Sequence, residues 1–305
     1  MITSAMISEL RAKTGAGIIN CRDTLQETNG DLEKAVAILK EKGLAIAAKK
    51  VERITAEGLI SSYISEDQRA GAIVELNCET DFVAIHEEFR MTADNLARQA
   101  VTTPARTVAD FGAERYIGDP SLTVRDALTA LIAKLRENIT LHRFAAFQSE
   151  YGFVQNYLHG GRIGVLLEMA GAADNPALRN IAKEIALQIA AARPLFITRD
   201  DVDPELLARE SEAYKAQALS EGKPEAIAAK IVTGKIAKYL KEKCLMEQVW
   251  IKNEDLTVAG LIREESRKSG AAIRIVRFVR FEKGEGMAKR EENLAQAVRQ
   301  QILGF

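Results

Sequence analysis

The feature that most constrains the fold is an internal repeat of two short, strand-like segments. Residues 58–63 read Gly-Leu-Ile-Ser-Ser-Tyr, and residues 152–157 repeat the pattern as Gly-Phe-Val-Gln-Asn-Tyr. A second apolar segment follows each of them, Gly-Ala-Ile-Val-Glu-Leu at 71–76 and Gly-Val-Leu-Leu-Glu-Met at 164–169. Apolar runs of this length with β-branched residues indicate buried strands. The sequence therefore predicts two β-hairpins of the same design.

A helical pattern follows each hairpin, over residues 85–101 in the first copy and 176–192 in the second. In the second copy Asn175 is placed to cap the helix, and Pro176 occupies its first position. Two half-domains of one α+β design are the simplest account of this repeat. The chain between the copies predicts a loop at 103–120, an amphipathic helix at 124–135 and a strand at 139–147.

Residues 1–54 read as three short helices separated by breaks that contain glycine. Gly15 and Gly17 suit the left-handed end of the first helix, and Gly30 ends the second. The third helix has Asp31 as its predicted cap and Gly43 as its predicted end, with residues 44–50 as a connector. The apolar residues predicted to face inward are Ile18, Cys21, Leu25, Leu32, Ala35, Val36 and Leu39. This pattern is typical of a compact bundle of the ubiquitin-associated type.

Beyond residue 200 the composition shifts towards charged residues and alanine. Two helices with thin apolar stripes are predicted over 201–245, joined by a turn at Glu221–Pro224. The narrow apolar stripes of these helices are too small to stabilise so polar a hairpin on their own. We therefore expect it to project from the core and contact another surface. A strand is predicted at 271–283 and a C-terminal helix at 284–305. The predicted modules are therefore residues 1–54, 55–148, 149–200, 201–245 and 284–305.

Composition and charge exclude several classes of function. The net charge is −1, and aromatic residues make up only 6% of the chain. Nucleic-acid and membrane surfaces usually carry a basic excess, and single-stranded nucleic acids need aromatic stacking platforms. No stretch approaches the ~20 apolar residues that span a bilayer, and no leader precedes the first helix. Three widely separated cysteines fit a reducing compartment. We expect a cytoplasmic protein without a nucleic-acid or membrane partner.

Signs of an enzyme are weak. The three histidines and three cysteines show no metal-ligand spacing, and neither a phosphate-binding loop nor a Gly-x-Ser-x-Gly elbow is present. Cys78 with His86 is the one pair that resembles a nucleophile with its base. A buried, inert thiol at a strand end is the more ordinary interpretation of Cys78. We therefore predict no catalytic residues, no metal site and no cofactor.

Residues 77–84 are the strongest candidate for a functional segment, because they lie at a corner between a predicted strand and a predicted helix. Either Thr80 or Asp81 can cap that helix by accepting its unpaired N–H groups. A purely structural interpretation is that Phe82 packs the corner onto the core and that nothing is recognised there. Spacing alone favours this structural interpretation.

The segment also resembles a known family. Residues 75–84 resemble the Thr-Asp-Phe-Val signature of the bacterial elongation factor Ts family. Residues 10–22 and 157–164 resemble the N-terminal signature and the His-Gly-x-Arg-Ile-Gly segment of that family. The resemblance implies an α+β fold with a ubiquitin-associated-like bundle and a duplicated core with small antiparallel sheets. It also implies that the strand at 271–283 completes the second half-domain.

The resemblance implies a function in translation elongation. Members of the family are guanine-nucleotide exchange factors, which bind the GDP form of the GTPase elongation factor Tu, perturb its Mg²⁺ and phosphate site, and promote GDP release. Longer members dimerise through the helical hairpin, which implies a homodimer or a heterotetramer with the GTPase. The alternative that stays open is a binding module that escorts the GTPase without exchange activity.

The resemblance also assigns roles to individual residues. The exchange wedge would push into the GTPase beside its magnesium site, and it would consist of Thr80, Asp81, Phe82 and Val83. His159 would lie near the phosphate-binding loop of the GTPase, and a helix of the GTPase would contact Arg11, Ile18 and Ile19. Because adjacent helical residues cannot both face one core, at least one of Ile18 and Ile19 is expected to be exposed.

Three positions depart from the family pattern. Ile85 stands where Lys, Arg or Asn is usual, which removes a charge beside the wedge. Asn20 and Arg22 stand where Asp and Lys are usual.

Overall fold

The computed structural model describes residues 2–50, 52–171, 175–270 and 272–287. The N-terminal part is a bundle of three helices, α1 (Ser4–Thr14), α2 (Ile18–Glu27) and α3 (Leu32–Ala48). The side chains of Thr3 and Asp31 cap α1 and α3, and Gly15 ends α1 in the left-handed conformation. The buried apolar residues between the helices are Leu10, Cys21, Leu25, Ala35 and Leu39.

The first half-domain is built around a three-stranded antiparallel sheet, with its strands in the order β1-β2-β5. Its elements are β1 (Glu57–Ile64), β2 (Ala70–Cys78), α4 (Asp81–Ala84), α5 (Glu87–Ala100), α6 (Val108–Ala113), β3 (Arg115–Tyr116), β4 (Asp119–Thr123), α7 (Val124–Leu135) and β5 (Ile139–Gln148). One apolar core joins the sheet to α5 and α7.

The second half-domain repeats this plan around a sheet with the order β10-β7-β6. Its elements are β6 (Gly152–His159), β7 (Ile163–Ala170), α8 (Pro176–Ala192), α9 (Pro204–Ser220), α10 (Glu225–Lys243), β8 (Val249–Trp250), β9 (Asn253–Thr257), α11 (Val258–Ser269) and β10 (Arg274–Glu282). The strand predicted near 271–283 thus completes the second sheet as β10. The mixed α+β class, predicted from the repeat, and the small antiparallel sheets, implied by the family resemblance, are both confirmed.

The duplication extends further than the sequence repeat, because each half also has a small hairpin followed by a helix and a third strand. A buried glutamine ties each small hairpin to a helix of its own half-domain, α5 in the first and α8 in the second. The Gln99 side chain donates to the Arg115 carbonyl at 2.9 Å and accepts from the Ile117 N–H at 3.0 Å. The Gln188 side chain makes the equivalent bonds, to Val249 at 3.1 Å and from Ile251 at 2.9 Å.

The two half-domains contact each other in a reciprocal way. The Arg143 guanidinium on β5 lies 4.2 Å above the Phe281 ring on β10, and Arg277 on β10 lies 4.4 Å above Phe147 on β5. The hairpin turns are also reciprocally bonded, because the Ile60 N–H donates to the Gly161 carbonyl at 2.8 Å and the Val154 N–H to that of Gln68 at 2.7 Å. Each half therefore fixes the hairpin turn of the other.

Two sequence predictions about element boundaries are wrong. Gly43 does not end α3, which continues to Ala48, so the predicted connector is largely helical. A Cβ atom at Gly43 would lie 3.5 Å from the Ala133 Cβ on α7, an ordinary van der Waals distance, so α3 packs directly against α7 at this position. The segment 103–120, predicted as a loop, contains α6 and most of the β3–β4 hairpin, which are too short to show a periodic pattern.

The antiparallel helical hairpin predicted over 201–245 is formed by α9 and α10, inserted between α8 and β8. Its base is buried around Val202, Leu240 and Cys244, whereas Leu219 and Ile227 nearer its tip stay exposed. Residues 288–305 of the predicted C-terminal helix lie outside the described residues. Among the described helices, none combines the length and the apolar character needed to cross a membrane.

Candidate functional site

The candidate site is the corner where β2 ends and the single-turn helix α4 begins. Thr80 has extended backbone angles, and its Oγ1 accepts a hydrogen bond from the Val83 N–H at 3.4 Å. Threonine at such a position caps a helix because its oxygen satisfies an N–H group that has no partner within the helix. Thr80, rather than Asp81, is therefore the cap.

The side chains of α4 divide into an outward pair, Asp81 and Phe82, and an inward pair, Val83 and Ala84. Phe82 is 78% exposed and Ile85, which follows α4, is 72% exposed, whereas Val83 and Ala84 are buried in the core. Residues three apart lie on one face of a helix, so Phe82 and Ile85 form a single apolar surface. Asp81 is also exposed beside them.

This arrangement corrects the structural interpretation of the corner. Phe82 does not pack onto the core, as the structural interpretation expected; Val83 provides that anchor instead. Val83 is buried, whereas the resemblance assigns it to the wedge together with its exposed neighbours. Thr80 is half-buried and uses its hydroxyl within the chain. The exposed side chains of the corner are therefore Asp81, Phe82 and Ile85.

The corner is held in place by Glu137, which the sequence analysis did not single out. One Glu137 carboxylate oxygen accepts the backbone N–H groups of Glu79 at 3.1 Å and Thr80 at 3.0 Å. The other oxygen accepts the Thr80 hydroxyl at 2.6 Å. Glu137 lies 57 positions from Thr80 in the chain, and no local sequence pattern marks so distant a contact.

The Glu79 carboxylate in turn contacts the loop that carries Glu137. Its Oε1 accepts the Asn138 backbone N–H at 2.7 Å, and its Oε2 lies 3.4 Å from the Arg53 guanidinium. The corner and the loop between α7 and β5 therefore exchange carboxylate–amide hydrogen bonds in both directions. Hydrogen bonds to a charged acceptor are shorter and stronger than those between neutral groups.

The turn between β6 and β7 lies beside the same surface. Gly160 and Gly161 have φ of 55° and 68°, the left-handed geometry of a tight hairpin turn that glycine adopts without strain. His159 is exposed, and its Nδ1 lies 3.3 Å from the Tyr157 hydroxyl. Arg162, rather than His159, lines a groove of about 880 Å³ together with Asp81 and Phe82. Arg162 is thus a candidate that the sequence analysis missed.

The groove contains charges of both signs, from Glu57, Glu79, Asp81, Arg162, Glu282 and Lys283. Lys283 is paired with Glu57. A hydrogen bond from Arg280 lowers the pKa of the Glu282 carboxyl, so Glu282 stays ionised.

A second exposed surface lies on the N-terminal bundle, where α1 ends and α2 begins. Ile18 is 57% exposed and Ile19 is 65% exposed, and Arg11 is exposed as well. The expectation that at least one of the two isoleucines is exposed is confirmed. The inward position predicted for Ile18 is wrong, because Cys21 and Leu25 face the bundle core without it.

Two further features bear on chemistry at the corner. The Cys78 thiol donates to the Thr80 carbonyl at 3.0 Å, and burial, together with the negative charge of Glu137, raises the pKa of Cys78 to about 12. Such a thiol is a poor nucleophile at neutral pH. Within the described part of the chain, no group of three or more His, Cys, Asp and Glu side chains is arranged to hold a metal ion.

Comparison with known proteins assigns the chain to a family. The family model described as Elongation factor TS matches residues 79–285, from the corner to the end of the second sheet. The chain belongs to the elongation factor Ts family. Family membership makes it a translation elongation factor, and the match begins at Glu79, beside the exposed Asp81 and Phe82.

Curated relatives agree with this assignment over nearly the whole chain. Elongation factor Ts of Clostridium botulinum (strain Alaska E43 / Type E3) is 52% identical over 303 residues, which cover 99% of each chain. The Clostridium perfringens (strain 13 / Type A) protein is 52% identical over 299 residues, or 98% of each chain. That of Clostridium kluyveri (strain NBRC 12016) is 50% identical over 305 residues, the full length of both.

Proposed function

We propose that this elongation factor Ts family member binds the GDP form of elongation factor Tu in the cytoplasm, perturbs its Mg²⁺ and phosphate site, and so promotes GDP release. The observation that carries the proposal is the exposure of Phe82, 78% of which is open to solvent at a corner fixed by Glu137. An exposed aromatic ring on an anchored corner is suited to insert into an apolar crevice of a partner.

Phe82 supplies the binding energy of the wedge. Burying a phenylalanine side chain contributes about 1.5–3 kcal/mol. The neighbouring Ile85 widens the apolar surface. This added contact area compensates for the charged contact that is usual at this position in the family. If the crevice is wider in the nucleotide-free GTPase, this contact favours the opened state over the closed one.

Asp81 acts on the metal site. Mg²⁺ bound to the nucleotide keeps several water ligands and offsets the negative charge of the phosphates. A carboxylate placed beside that shell competes for its waters and neighbouring side chains, and it weakens the hold on the ion. Loss of Mg²⁺ then weakens the hold on the β-phosphate of GDP.

Four other exposed positions support the wedge. His159 would crowd the phosphate-binding loop, while Arg11, Ile18 and Ile19 would hold the nucleotide-binding domain from another side. A thousandfold faster release requires contacts that favour the opened state by about 4 kcal/mol. Two or three contacts of the size of Phe82 reach that sum.

Thermodynamic linkage gives the cycle its direction. If the factor weakens GDP binding by some ratio, then GDP must weaken the binding of the factor by the same ratio. Incoming GTP therefore expels the factor and leaves the GTPase loaded.

The test is the release of a fluorescent GDP analogue from elongation factor Tu, followed with and without this chain. The proposal expects the chain to raise the release rate in proportion to its concentration at low concentrations. Stable binding of the GTPase without faster release would instead support an escort module and would reject exchange.

We further propose that α9 and α10 support weak self-association, as a homodimer or as part of a heterotetramer with the GTPase. Leu219 and Ile227 near the tip are exposed apolar residues on an otherwise polar hairpin. These two residues can contact a second copy of the chain. Because they are scattered rather than part of a large apolar patch, the association is weak.

A further inference from the structure

We propose that Glu137 is a positioning residue for exchange, because its carboxylate holds the corner of residues 79–82 with Phe82 turned outward. This inference rests on the proposed function of the corner. Glu137 itself lies in the loop between α7 and β5, and it acts through Thr80.

The corner has little internal support. Helix α4 is a single turn, and a single turn is not stable in water because few hydrogen bonds offset the loss of chain entropy. Its own cap is the 3.4 Å bond from the Val83 N–H to Thr80. The N–H groups of Glu79 and Thr80 find their acceptor outside this segment, in Glu137.

Glu137 is well suited to serve as this support. A single carboxylate accepts the N–H groups of Glu79 and Thr80 and the Thr80 hydroxyl, at distances between 2.6 and 3.1 Å. Bonds to the backbone and the side chain of the same residue fix the rotation of Thr80 as well as its position. Because Phe82 follows Thr80 by two residues, fixing Thr80 fixes the direction in which the ring leaves the surface.

The loop that carries Glu137 is itself held from its other side. Arg136 ends α7 with φ of 60°, a left-handed conformation that reverses the chain and turns Glu137 towards the corner. Lys50 donates to the Arg136 carbonyl, and the Asn138 side chain donates to the Arg53 carbonyl at 2.9 Å. These contacts tie the loop to the segment that leads from the N-terminal bundle.

The physical consequence is pre-organisation. A partner that meets a corner already in its binding conformation does not have to order it, so less of the contact energy is spent on ordering. Without the Glu137 carboxylate, the Phe82 ring is still present, but its orientation should no longer be fixed. The exchange rate then falls although no contact residue has changed.

The first test measures GDP release from elongation factor Tu with Glu137→Ala, Glu137→Gln and the control Glu114→Ala. Glu114 is also half-buried, and its carboxylate accepts hydrogen bonds from Gln99 and Thr103 rather than from the corner. At concentrations of the factor that limit the rate, Glu137→Ala should lower the rate constant of GDP release about tenfold, equivalent to about 1.4 kcal/mol. Glu137→Gln, which keeps an acceptor for the two N–H groups, should recover most of the loss, and Glu114→Ala should stay within about twofold of wild type.

The second test separates positioning from a general loss of folded protein. If Glu137 acts through the wedge, Glu137→Ala should change the rate less than about twofold in a Phe82→Ala background, because the group it positions is gone. A full tenfold effect in that background, or none in the wild-type background, would overturn the inference.

The third measurement does not depend on exchange activity. Amide hydrogen exchange at Glu79 and Thr80 should become faster in Glu137→Ala, while that of the β2 interior stays slow. Unchanged protection at both amides would overturn the inference, even if Phe82→Ala proves inactive as proposed. If Phe82→Ala retains wild-type exchange, the proposed function fails, and the amide data alone then decide whether Glu137 orders the corner.

Discussion

Two neighbouring side chains carry the proposed chemistry, and the fold leaves both in water. Asp81 and Phe82 are exposed, while the adjacent Val83 and Ala84 are buried. The division follows from helical geometry, since a one-turn helix on a core surface turns one side inward and the other outward. The same four-residue segment can therefore anchor the corner and present the wedge.

Phe82→Ala should slow GDP release about tenfold or more, with little change in the free energy of unfolding. The ring makes few contacts within the chain, whereas its burial in a partner is worth about 1.5–3 kcal/mol. Fluorescent GDP release and urea unfolding check the two halves of this prediction. Tyr151→Ala is the matched control because Tyr151 is 81% exposed and lies outside the corner; an equal loss of exchange in both variants would contradict a specific wedge.

Cys78 should resist alkylation at pH 8. Its pKa is raised from 9.0 to about 12, so the reactive thiolate is about a thousandfold scarcer than for an unperturbed thiol. Reactivity should increase only as the pH rises towards that value. Mass spectrometry after iodoacetamide treatment of the folded protein measures this; rapid modification of Cys78 with loss of exchange would indicate a chemical role for the thiol.

At this scale sequence could locate the corner but not its internal arrangement. Strand-to-helix spacing indicated the turn and two possible caps. Which of Phe82 and Val83 faces the core depends on where α4 begins, and that depends on the choice of Thr80 as cap. Glu137 and Arg162 were beyond reach because their contacts with the corner join segments far apart in the chain.

Among the elements, α3 and α7 form the contact that joins the N-terminal bundle to the core. Gly43 lies at this contact, and a Cβ there would meet Ala133 at 3.5 Å. That distance is ordinary van der Waals contact, so one methyl group fits but a larger side chain does not.

Gly43→Ala should therefore be tolerated and should gain up to about 1 kcal/mol in the free energy of unfolding from helix propensity. Gly43→Leu should lose about 1–3 kcal/mol by forcing α3 away from α7. Gly234 is the control, because it lies in α10 with open space around it. Urea unfolding measures all four variants; equal effects of leucine at the two positions would contradict a close α3–α7 contact.

The duplicated elements show what periodicity can and cannot reveal. Hairpins and helices of eight residues or more carry a readable pattern, and the repeat of glycine and apolar residues predicted them in both halves. The β3–β4 and β8–β9 hairpins have strands of two and five residues, which are too short to show an alternation of apolar and polar residues. Their positions depend on Gln99 and Gln188, and an isolated glutamine in a helix carries no sequence signal.

Across the whole molecule, the reciprocal contacts of the two half-domains bring distant segments to one surface. The Arg143–Phe281 and Arg277–Phe147 contacts fix the sheets against each other. This places Arg162, from the β6–β7 turn, beside Asp81 and Phe82. Such a surface cannot be read from either copy of the repeat alone.

The α9–α10 hairpin should support weak self-association. Sedimentation velocity across a broad concentration range should show the average mass rise towards a dimer. Leu219→Ser with Ile227→Ser should reduce this rise, because both residues are exposed apolar positions near the tip. A constant monomer mass at every concentration would contradict the prediction.

The central claim is that the corner speeds GDP release by disturbing the Mg²⁺ site of elongation factor Tu. The most direct measurement compares the wild-type chain with the Asp81→Ala/Phe82→Ala double variant in stopped-flow release of a fluorescent GDP analogue, with Mg²⁺ present and after its chelation. The account predicts that the double variant falls close to the spontaneous rate with Mg²⁺, and that the advantage of the wild type shrinks once Mg²⁺ is removed. Wild-type acceleration by the double variant in the presence of Mg²⁺ would contradict it.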